Sequence, residues 1–261
     1  NRSLKIENRF VSVNNEESTK RKILSGLPQG ISVSTFADDT CIIASNKDPA
    51  IASQQLQEHL DIATKWLSLW RIMTNGSKST HITFTLRTGI CPTIKLNGQE
   101  IPVKDSVKYL GIHLDTKLNW RVHINKKKQQ IDELFKKHYW LLNKRSELST
   151  NNKLIIYKCI FKPVWSYGIQ LWGTAKKTNL QIIQRVQNKI IRQALNASRY
   201  VPNWLIHQDS NMMTVNEEIQ QKTNNYKRRI DEHPNYLAHK VFSEARSTRL
   251  KRKFPNDLIN L

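Results

Sequence analysis

The spacing of hydrophobic residues divides this chain into two parts that meet near Asp115. Before that residue, short β-prone runs alternate with turns, and one long stretch has apolar residues at three- and four-residue spacing. This stretch predicts an amphipathic helix with Asp48 as its N-cap, Pro49 in its first turn and Asn75-Gly76 at its end. After Asp115, three longer stretches with helical spacing follow one another.

The β-prone runs of the first part predict strands and hairpins. Strands are predicted for "HITFTL" and "VKYLGIHLD", and a hairpin that turns on Asn97-Gly98 is predicted for "TIKLNGQEIPV". Two further runs flank Asp38 and Asp39, which predicts a hairpin with two adjacent carboxylates at its tip.

The second part predicts a mainly helical region that extends to about residue 195. Its last helical stretch has one apolar face, formed by Leu180, Ile183, Val186, Ile190 and Ala194. An aromatic cluster in "PVWSYGIQLWG" contains Trp165, Tyr167 and Trp172, and such spacing favours a core over a base-stacking surface. We therefore expect Trp172 to be mostly buried, and the fold class to be α+β.

The charge of the chain is strongly positive and unevenly distributed. The 261 residues include 42 Lys and Arg against 21 Asp and Glu, a net charge of +21. Residues 116–195 contain 17 basic and three acidic residues, a net charge of +14. Such an excess favours a polyanionic partner, because each phosphate that a cation neutralises releases condensed counterions. A solvated basic surface is the alternative reading.

Other features of the composition exclude several classes of protein. The three cysteines form no CxxC pair, which argues against a zinc site and against a disulfide framework, and fits a reducing compartment. No apolar run approaches the roughly 20 residues that a membrane span needs. The chain begins with Asn1 and shows no signal peptide, so we expect it to begin inside a longer reading frame.

The adjacent carboxylates of Asp38 and Asp39 are the first candidate for chemistry. Two anionic side chains repel each other, and this arrangement becomes useful if both bind a divalent metal ion. Mg²⁺ prefers one or two carboxylates, with phosphate and water completing its shell. Two such ions can stabilise both the attacking and the leaving oxygen of a nucleotidyl transfer. A polar turn without function is the alternative for the dipeptide by itself.

Several segments occur in the order that is typical of one protein family. They are "LPQG", "FADDT", "WRIMTNGSKS", "VKYLGIHLD", "SYGIQLWGTA", "IQRVQNKIIRQALNA" and "RYVPNWLIHQD". In this order the chain resembles the reverse transcriptases of non-LTR retrotransposons, most of all the insect jockey type, over nearly its whole length. The resemblance implies RNA-directed DNA synthesis with Mg²⁺, deoxynucleotides, an RNA template and a DNA primer, inside the cell and in the nucleus when DNA is the target.

The resemblance also implies a right-hand polymerase architecture. Residues 1–115 correspond to a partial palm, residues 116–195 to a helical thumb, and residues 196–261 to a basic C-terminal tail. In the palm, Asp38 and Asp39 match the metal-binding carboxylates, and Lys78 matches a lysine that assists protonation of pyrophosphate.

Further roles follow from the same resemblance. The segment that contacts template and incoming nucleotide is formed by Leu27, Pro28, Gln29 and Gly30. The primer-grip hairpin is formed by Tyr109, Leu110 and Gly111. The cations expected along the nucleic-acid backbone are Arg121, Lys126, Lys127, Lys128, Lys136, Lys137, Lys144 and Arg145.

The sequence departs from the family in the space between "LPQG" and "FADD". Only the five residues Ile31 to Thr35 separate these segments, whereas the family places a helix and a strand there, about 11–12 and 5–6 residues at ordinary lengths. Residues 1–25 contain no Asp that could supply a third catalytic carboxylate. We therefore expect weak Mg²⁺ binding at most and an inactive chain. A segment missing from this sequence, a decayed copy, and a truncated element retained as a non-catalytic nucleic-acid-binding protein remain alternatives.

Overall fold

The computed structural model describes residues 12–13, 16–17, 31–36, 39–71, 74–85, 91–235, 239 and 255–258. The expected template-contacting segment, residues 27–30, and Asp38 lie outside the described residues. The chain forms two compact units. We call residues 1–83 with 88–104 the N-terminal unit, and residues 84–87 with 105–261 the helical unit.

The described residues of the N-terminal unit form three small antiparallel hairpins and one helix. These elements are β1 (Ser12–Val13), β2 (Glu16–Glu17), β3 (Ile31–Phe36), β4 (Asp39–Ala44), α1 (Pro49–Leu69), β5 (Lys95–Leu96) and β6 (Gln99–Glu100). Each pair of consecutive strands forms its own two-stranded sheet. The hairpin predicted at Asn97-Gly98 is confirmed, because Leu96 pairs with Gln99 and both turn residues have positive φ, 51° and 79°.

Helix α1 begins as predicted and ends earlier than predicted. The Asp48 carboxylate accepts a hydrogen bond from the Ala50 amide at 2.8 Å, which satisfies one of the free amides of the first turn. The helix ends at Leu69 because Arg71 adopts a left-handed conformation, with φ of 55°, so the predicted end at Asn75-Gly76 is wrong.

The strand predicted for "HITFTL" is also wrong over its described residues. His81 makes an isolated bridge to Val103, in which its amide donates to the Pro102 carbonyl at 3.0 Å and its carbonyl accepts from Lys104 at 2.9 Å. The Thr85 amide donates instead to the Thr116 carbonyl of the helical unit, so the ladder does not continue.

The helical unit starts with one hairpin and continues with helices. Its elements are β7 (Ser106–Tyr109), β8 (Ile112–Asp115), α2 (Arg121–Leu142), α3 (Thr150–Ile156), a π-helical turn (Tyr157–Phe161), α4 (Lys162–Ser166), α5 (Ile169–Trp172), α6 (Lys177–Ala194), α7 (Asn203–Ser210), α8 (Val215–Asp231) and a 3₁₀ turn (Pro255–Leu258). The mixture of helices with small antiparallel sheets gives an α+β fold, as predicted.

The core of the helical unit is formed mainly by its helices. Trp165 and Trp172 are each 1% exposed, which confirms the burial predicted for Trp172, whereas Tyr167 of the same cluster is 52% exposed. Helix α6 buries Ile183, Val186 and Ile190 on the predicted face. Residues beyond 195 also contribute, since Ile206 of α7 and the first residues of α8 belong to the same core.

No helix within the described ranges is long and apolar enough to cross a membrane.

Candidate nucleic-acid interface and catalytic hairpin

The hairpin that carries the expected metal-binding carboxylates is described on both strands. Phe36, the last residue of β3, pairs with Asp39, the first residue of β4. Both side chains are exposed, Phe36 at 63%. Within the described residues, no group of three or more His, Cys, Asp or Glu side chains could hold a metal ion. The described donors therefore do not form a metal cage, and Asp39 is the one expected metal ligand whose position can be stated.

Lys78 lies in a turn that Asn75 organises. The Asn75 carboxamide oxygen accepts hydrogen bonds from the Ser77 hydroxyl at 2.7 Å and from the Lys78 amide at 3.2 Å. The Asn75 carbonyl accepts from the Ser79 amide at 3.1 Å. This pattern is typical of an Asx turn, and it leaves the Lys78 side chain exposed.

The expected primer-grip segment forms a tight hairpin. Tyr109 pairs with Ile112, so Leu110 and Gly111 are the two turn residues, with φ of 44° and 78°. Positive φ at both positions defines a type I′-like turn, whose twist matches that of the flanking strands. Glycine adopts this conformation without cost, whereas leucine does not, so contacts elsewhere must hold the turn in place.

Tyr167 supplies such a contact. Its hydroxyl donates a hydrogen bond to the Leu110 carbonyl at 2.7 Å, and a Cβ on Gly111 would lie 3.1 Å from its ring. Gly168 approaches the same hairpin closely, because a Cβ there would lie 2.4 Å from Cδ1 of Ile112. The "SYG" segment thus fastens the hairpin to the helical core.

Positive charge collects around this hairpin. Lys108 pairs across the two strands with His113, and the Lys127 ammonium lies 5.9 Å from the centre of the Tyr167 ring. Burial lowers the pKa of Lys127, and the charge of Lys108 lowers it further. The pKa of His113 is also lowered, first by burial and then by Lys108, Lys127 and Lys126. Among the described ion pairs, none neutralises these groups.

A buried histidine, which the sequence analysis did not single out, lies behind the hairpin. His123 is fully buried, and its Nδ1 accepts a hydrogen bond from the His113 amide at 3.2 Å. The proton of the neutral ring therefore sits on Nε2, which has no partner in the described part of the chain. Burial lowers the pKa of His123 to about 4, with smaller contributions from Lys127 and His113. The rings of Trp120 and Trp172 lie 6.4 and 6.2 Å away.

Asp115 is a second residue that the sequence analysis did not single out as functional, and its role is structural. Its buried carboxylate accepts hydrogen bonds from the amides of Asn119 and Trp120, both at 2.9 Å. These bonds hold the entry into α2, where Leu118 and Trp120 have positive φ. The same carboxylate is consequently occupied by backbone donors.

The lysines of α2 do not form one stripe. At 3.6 residues per turn, Lys126 and Lys128 are about 200° apart around the helix. Lys128 forms an ion pair with Asp132 at 2.9 Å, and the Lys189 ammonium approaches the same carboxylate at 3.9 Å. Lys127 is half-buried next to Tyr167, whereas Lys126 is exposed. The other expected backbone contacts, Arg121, Lys136, Lys137, Lys144 and Arg145, are all exposed.

Known proteins resemble this chain over most of its length. Residues 8–114 match the family described as reverse transcriptase (RNA-dependent DNA polymerase). The chain is 35% identical over 227 residues to the probable RNA-directed DNA polymerase from transposon X-element of Drosophila melanogaster, covering 87% of this chain and 25% of that protein. It is 32% identical over 288 aligned positions to the RNA-directed DNA polymerase from mobile element jockey of the same species, covering 96% of this chain and 31% of that protein. No solved structure matches the chain.

Residues 8–114 thus define a reverse transcriptase segment. Over most of its length the chain is a jockey-like sequence, related to the RNA-directed DNA polymerases of non-LTR retrotransposons. It spans about a quarter to a third of the length of these relatives.

Proposed function

We propose that this chain is part of an RNA-directed DNA polymerase that retains nucleic-acid binding and has lost DNA synthesis. The observation that carries the proposal is the Leu110–Gly111 hairpin, which Tyr167 fastens to the helical core beside Lys108 and Lys127. A rigid turn flanked by cations that no described acidic residue neutralises suits the phosphate backbone of a bound primer.

Residues 116–195 of the helical unit are proposed to act as the thumb. Their charge favours this role, because residues 116–195 carry a net charge of +14 and the lysines on α2 point to more than one side. Contacts of this kind bind phosphates and carry no sequence information. Residues 196–261 are proposed to extend the same basic surface.

Residues 1–115, which include the primer-grip hairpin, are proposed to be a partial palm. Asp38, Asp39 and Lys78 would be the remains of the catalytic site, and residues 27–30 would contact template and deoxynucleotide. Asp39 is of the right chemical type for Mg²⁺, but the described residues provide too few ligands to complete a site. We therefore derive no catalytic step through a metal ion.

The loss of synthesis is proposed to follow from missing palm residues. Five residues separate "LPQG" from "FADD". The alignment with the jockey polymerase also extends over 288 positions, more than the 261 residues of this chain, so the relative contains residues that have no counterpart here. Both observations support an internal deletion.

Primer extension tests this proposal directly. The chain would be compared with a version in which the segment of the jockey relative is inserted between Gly30 and Ile31, each with an RNA template, a DNA primer, deoxynucleotides and Mg²⁺. We expect the chain to bind primer–template without extending it. Extension by the unaltered chain that Asp39→Asn abolishes would contradict the loss of synthesis. Absence of primer–template binding at low salt would contradict the whole proposal.

A further inference from the structure

A groove on the helical unit lies outside the proposed primer-binding hairpin. It has a volume of about 380 Å³ and lies between α6, α7 and the first residues of α8. The side chains that matter here are polar or aromatic: Lys177, Gln181, Asn188, Asn203, Trp204 and His207.

The wall of this groove is held by a hydrogen-bond network. The Gln184 carboxamide nitrogen contacts Oδ1 of Asn188 at 2.8 Å and Nε2 of His207 at 3.2 Å. Its carboxamide oxygen accepts a hydrogen bond from the Val215 amide at 2.8 Å, which fixes the start of α8. Oδ1 of Asn188 accepts a hydrogen bond from Gln184 and lies 2.8 Å from Nε2 of His207. The network therefore holds the Asn188 amide in a fixed position at the groove.

Trp204 forms one side of the groove and is unusually exposed. Its side chain is 67% exposed at the start of α7, although a tryptophan buries a large apolar area where a core is available. The neighbouring Asn203 accepts a hydrogen bond from Arg192 at 2.8 Å, and Arg192 also donates to the Ser198 carbonyl at 2.6 Å. The groove thus has an exposed ring and, from the preceding residue, an amide that is hydrogen-bonded to a cation.

The charge near this groove favours an anionic ligand. Residues 148–208, which include α6 and most of α7, contain nine Lys and Arg residues and no Asp or Glu. Glu217, near the start of α8, accepts a hydrogen bond from the Thr214 amide at 2.7 Å in a capping box. An unpaired nucleotide offers a flat base, polar base edges and a phosphate, which suit an exposed aromatic ring, side-chain amides and nearby cations.

We propose that this groove binds an unpaired base of single-stranded nucleic acid, which stacks on Trp204 while its edge meets the amides of Asn188 and Asn203. Arg192 and Lys177 attract the adjoining phosphates. The groove would bind a single strand in addition to the phosphate contacts proposed above. This inference rests on the proposed function only in assuming that the ligand is a nucleic acid.

Binding of labelled oligonucleotides to the full chain tests the site. Stacking of one base contributes about 1–3 kcal/mol, so Trp204→Ala should weaken binding of a single-stranded oligonucleotide by roughly 5- to 140-fold. Trp204→Phe keeps an aromatic face and should restore most of the affinity. Trp140→Ala is the matched control, because Trp140 is also 67% exposed but does not line the groove. Circular dichroism of each variant would establish that the helices are intact.

The outcomes separate this proposal from the proposed function. A loss with Trp204→Ala that exceeds the loss with Trp140→Ala, and that is small for a blunt duplex, supports the groove. Unchanged single-strand binding by Trp204→Ala, or equal losses with both variants, overturns the groove while primer–template binding still supports the proposed function. Oligonucleotide binding that Trp204→Phe weakens as much as Trp204→Ala overturns stacking as the mode of recognition.

Discussion

The two units of this chain differ sharply in how much apolar surface they bury. Among the described residues, the buried cluster of the helical unit contains 21 hydrophobic residues, whereas that of the N-terminal unit contains three, Ile94, Leu96 and Ile101. Helix α1 of the N-terminal unit has 21 residues and buries only Ser53 fully. The helical unit therefore carries a core large enough to hold its own hairpin and helices in place, whereas the described residues of the N-terminal unit form only a small one.

Several large apolar side chains of the N-terminal unit are exposed to solvent, which agrees with its small buried cluster. Phe36, Ile62, Leu69 and Trp70 are between 56% and 81% exposed. An apolar helix face that is exposed is typical of a surface that another element or a partner covers. This is what the proposed deletion beside "FADD" would produce, because it would take a helix and a strand away from this unit.

The largest expected effect is in the core of the helical unit. Trp172→Ala removes a fully buried ring and the hydrogen bond from its Nε1 to the Tyr167 carbonyl at 3.0 Å. We expect a loss of about 3–5 kcal/mol in the free energy of unfolding, measured by denaturant titration followed by circular dichroism. Leu96→Ala, in the small core of the N-terminal unit, should leave that helical transition unchanged. Equal effects of the two variants would abolish the distinction between the units.

Acid should weaken the helical unit through His123. The pKa of this buried imidazole is lowered to about 4, so between pH 6.5 and 4 the unfolded chain binds a proton that the folded chain does not. Stability is therefore full above pH 6.5 and falls as the pH approaches 4, by about 2–3 kcal/mol.

Denaturant titrations at pH 7 and pH 4 measure this loss. His123→Gln carries no titrating group and should reduce the difference between the two pH values, leaving a smaller part that belongs to His113. The same difference in His123→Gln as in the unaltered chain would assign the acid sensitivity elsewhere.

A smaller effect is expected where the hairpin meets the helices. Gly168 has φ of 63°, and a Cβ would lie 2.4 Å from Ile112, so Gly168→Ala should destabilise the helical unit by about 1–3 kcal/mol. Part of this loss comes from the clash and part from the backbone. Adding Ile112→Val removes Cδ1 and should recover the part due to the clash, compared with Ile112→Val alone. No recovery would assign the whole cost to the backbone of Gly168.

The difference in buried apolar surface between the units also explains which features could be predicted from the sequence. The helices of the second part follow from apolar spacing, and the burial of Trp172 follows from its aromatic neighbours. The end of α1 was mispredicted because a left-handed residue, Arg71, stops the helix with no glycine or proline to mark it. Local pattern is a good guide where a core reinforces it, and a weaker one in a unit with little core.

Contacts between residues far apart in the chain could not be predicted from the sequence. The resemblance indicated the hairpin at Tyr109–Gly111, but nothing local indicates that Tyr167, 57 residues further along, donates to the Leu110 carbonyl. The roles of Asp115 and His123 are likewise set by backbone amides that approach them only in the folded chain. Their sequence signal is limited to a polar residue at the edge of an apolar pattern.

The hydrogen bond between Tyr167 and the hairpin should contribute less than these core contacts. Tyr167 is 52% exposed, so in Tyr167→Phe water can hydrogen-bond to the Leu110 carbonyl, and we expect a loss of about 0.5–1.5 kcal/mol. Amide exchange should distinguish a local effect from a global one. Faster exchange confined to β7 and β8 is the expected result, and uniform acceleration throughout the helical unit would contradict it.

The smallest effect on stability and the clearest effect on binding are expected for the lysines of α2. Replacing Lys126, Lys127 and Lys128 by Gln should leave the melting temperature nearly unchanged, since none of the three is fully buried. Each phosphate contact contributes about 0.7–0.9 to the slope of log affinity against log salt. The structure sharpens this expectation, because Lys128 is already paired with Asp132, whereas Lys127 lies next to the Tyr167 ring. Lys127→Gln alone should therefore flatten the slope by up to one contact, and Lys128→Gln should change it less.

A slope unaltered by the triple replacement would remove α2 from the binding surface, and a larger effect of Lys128→Gln would move the contact to the opposite side of the helix.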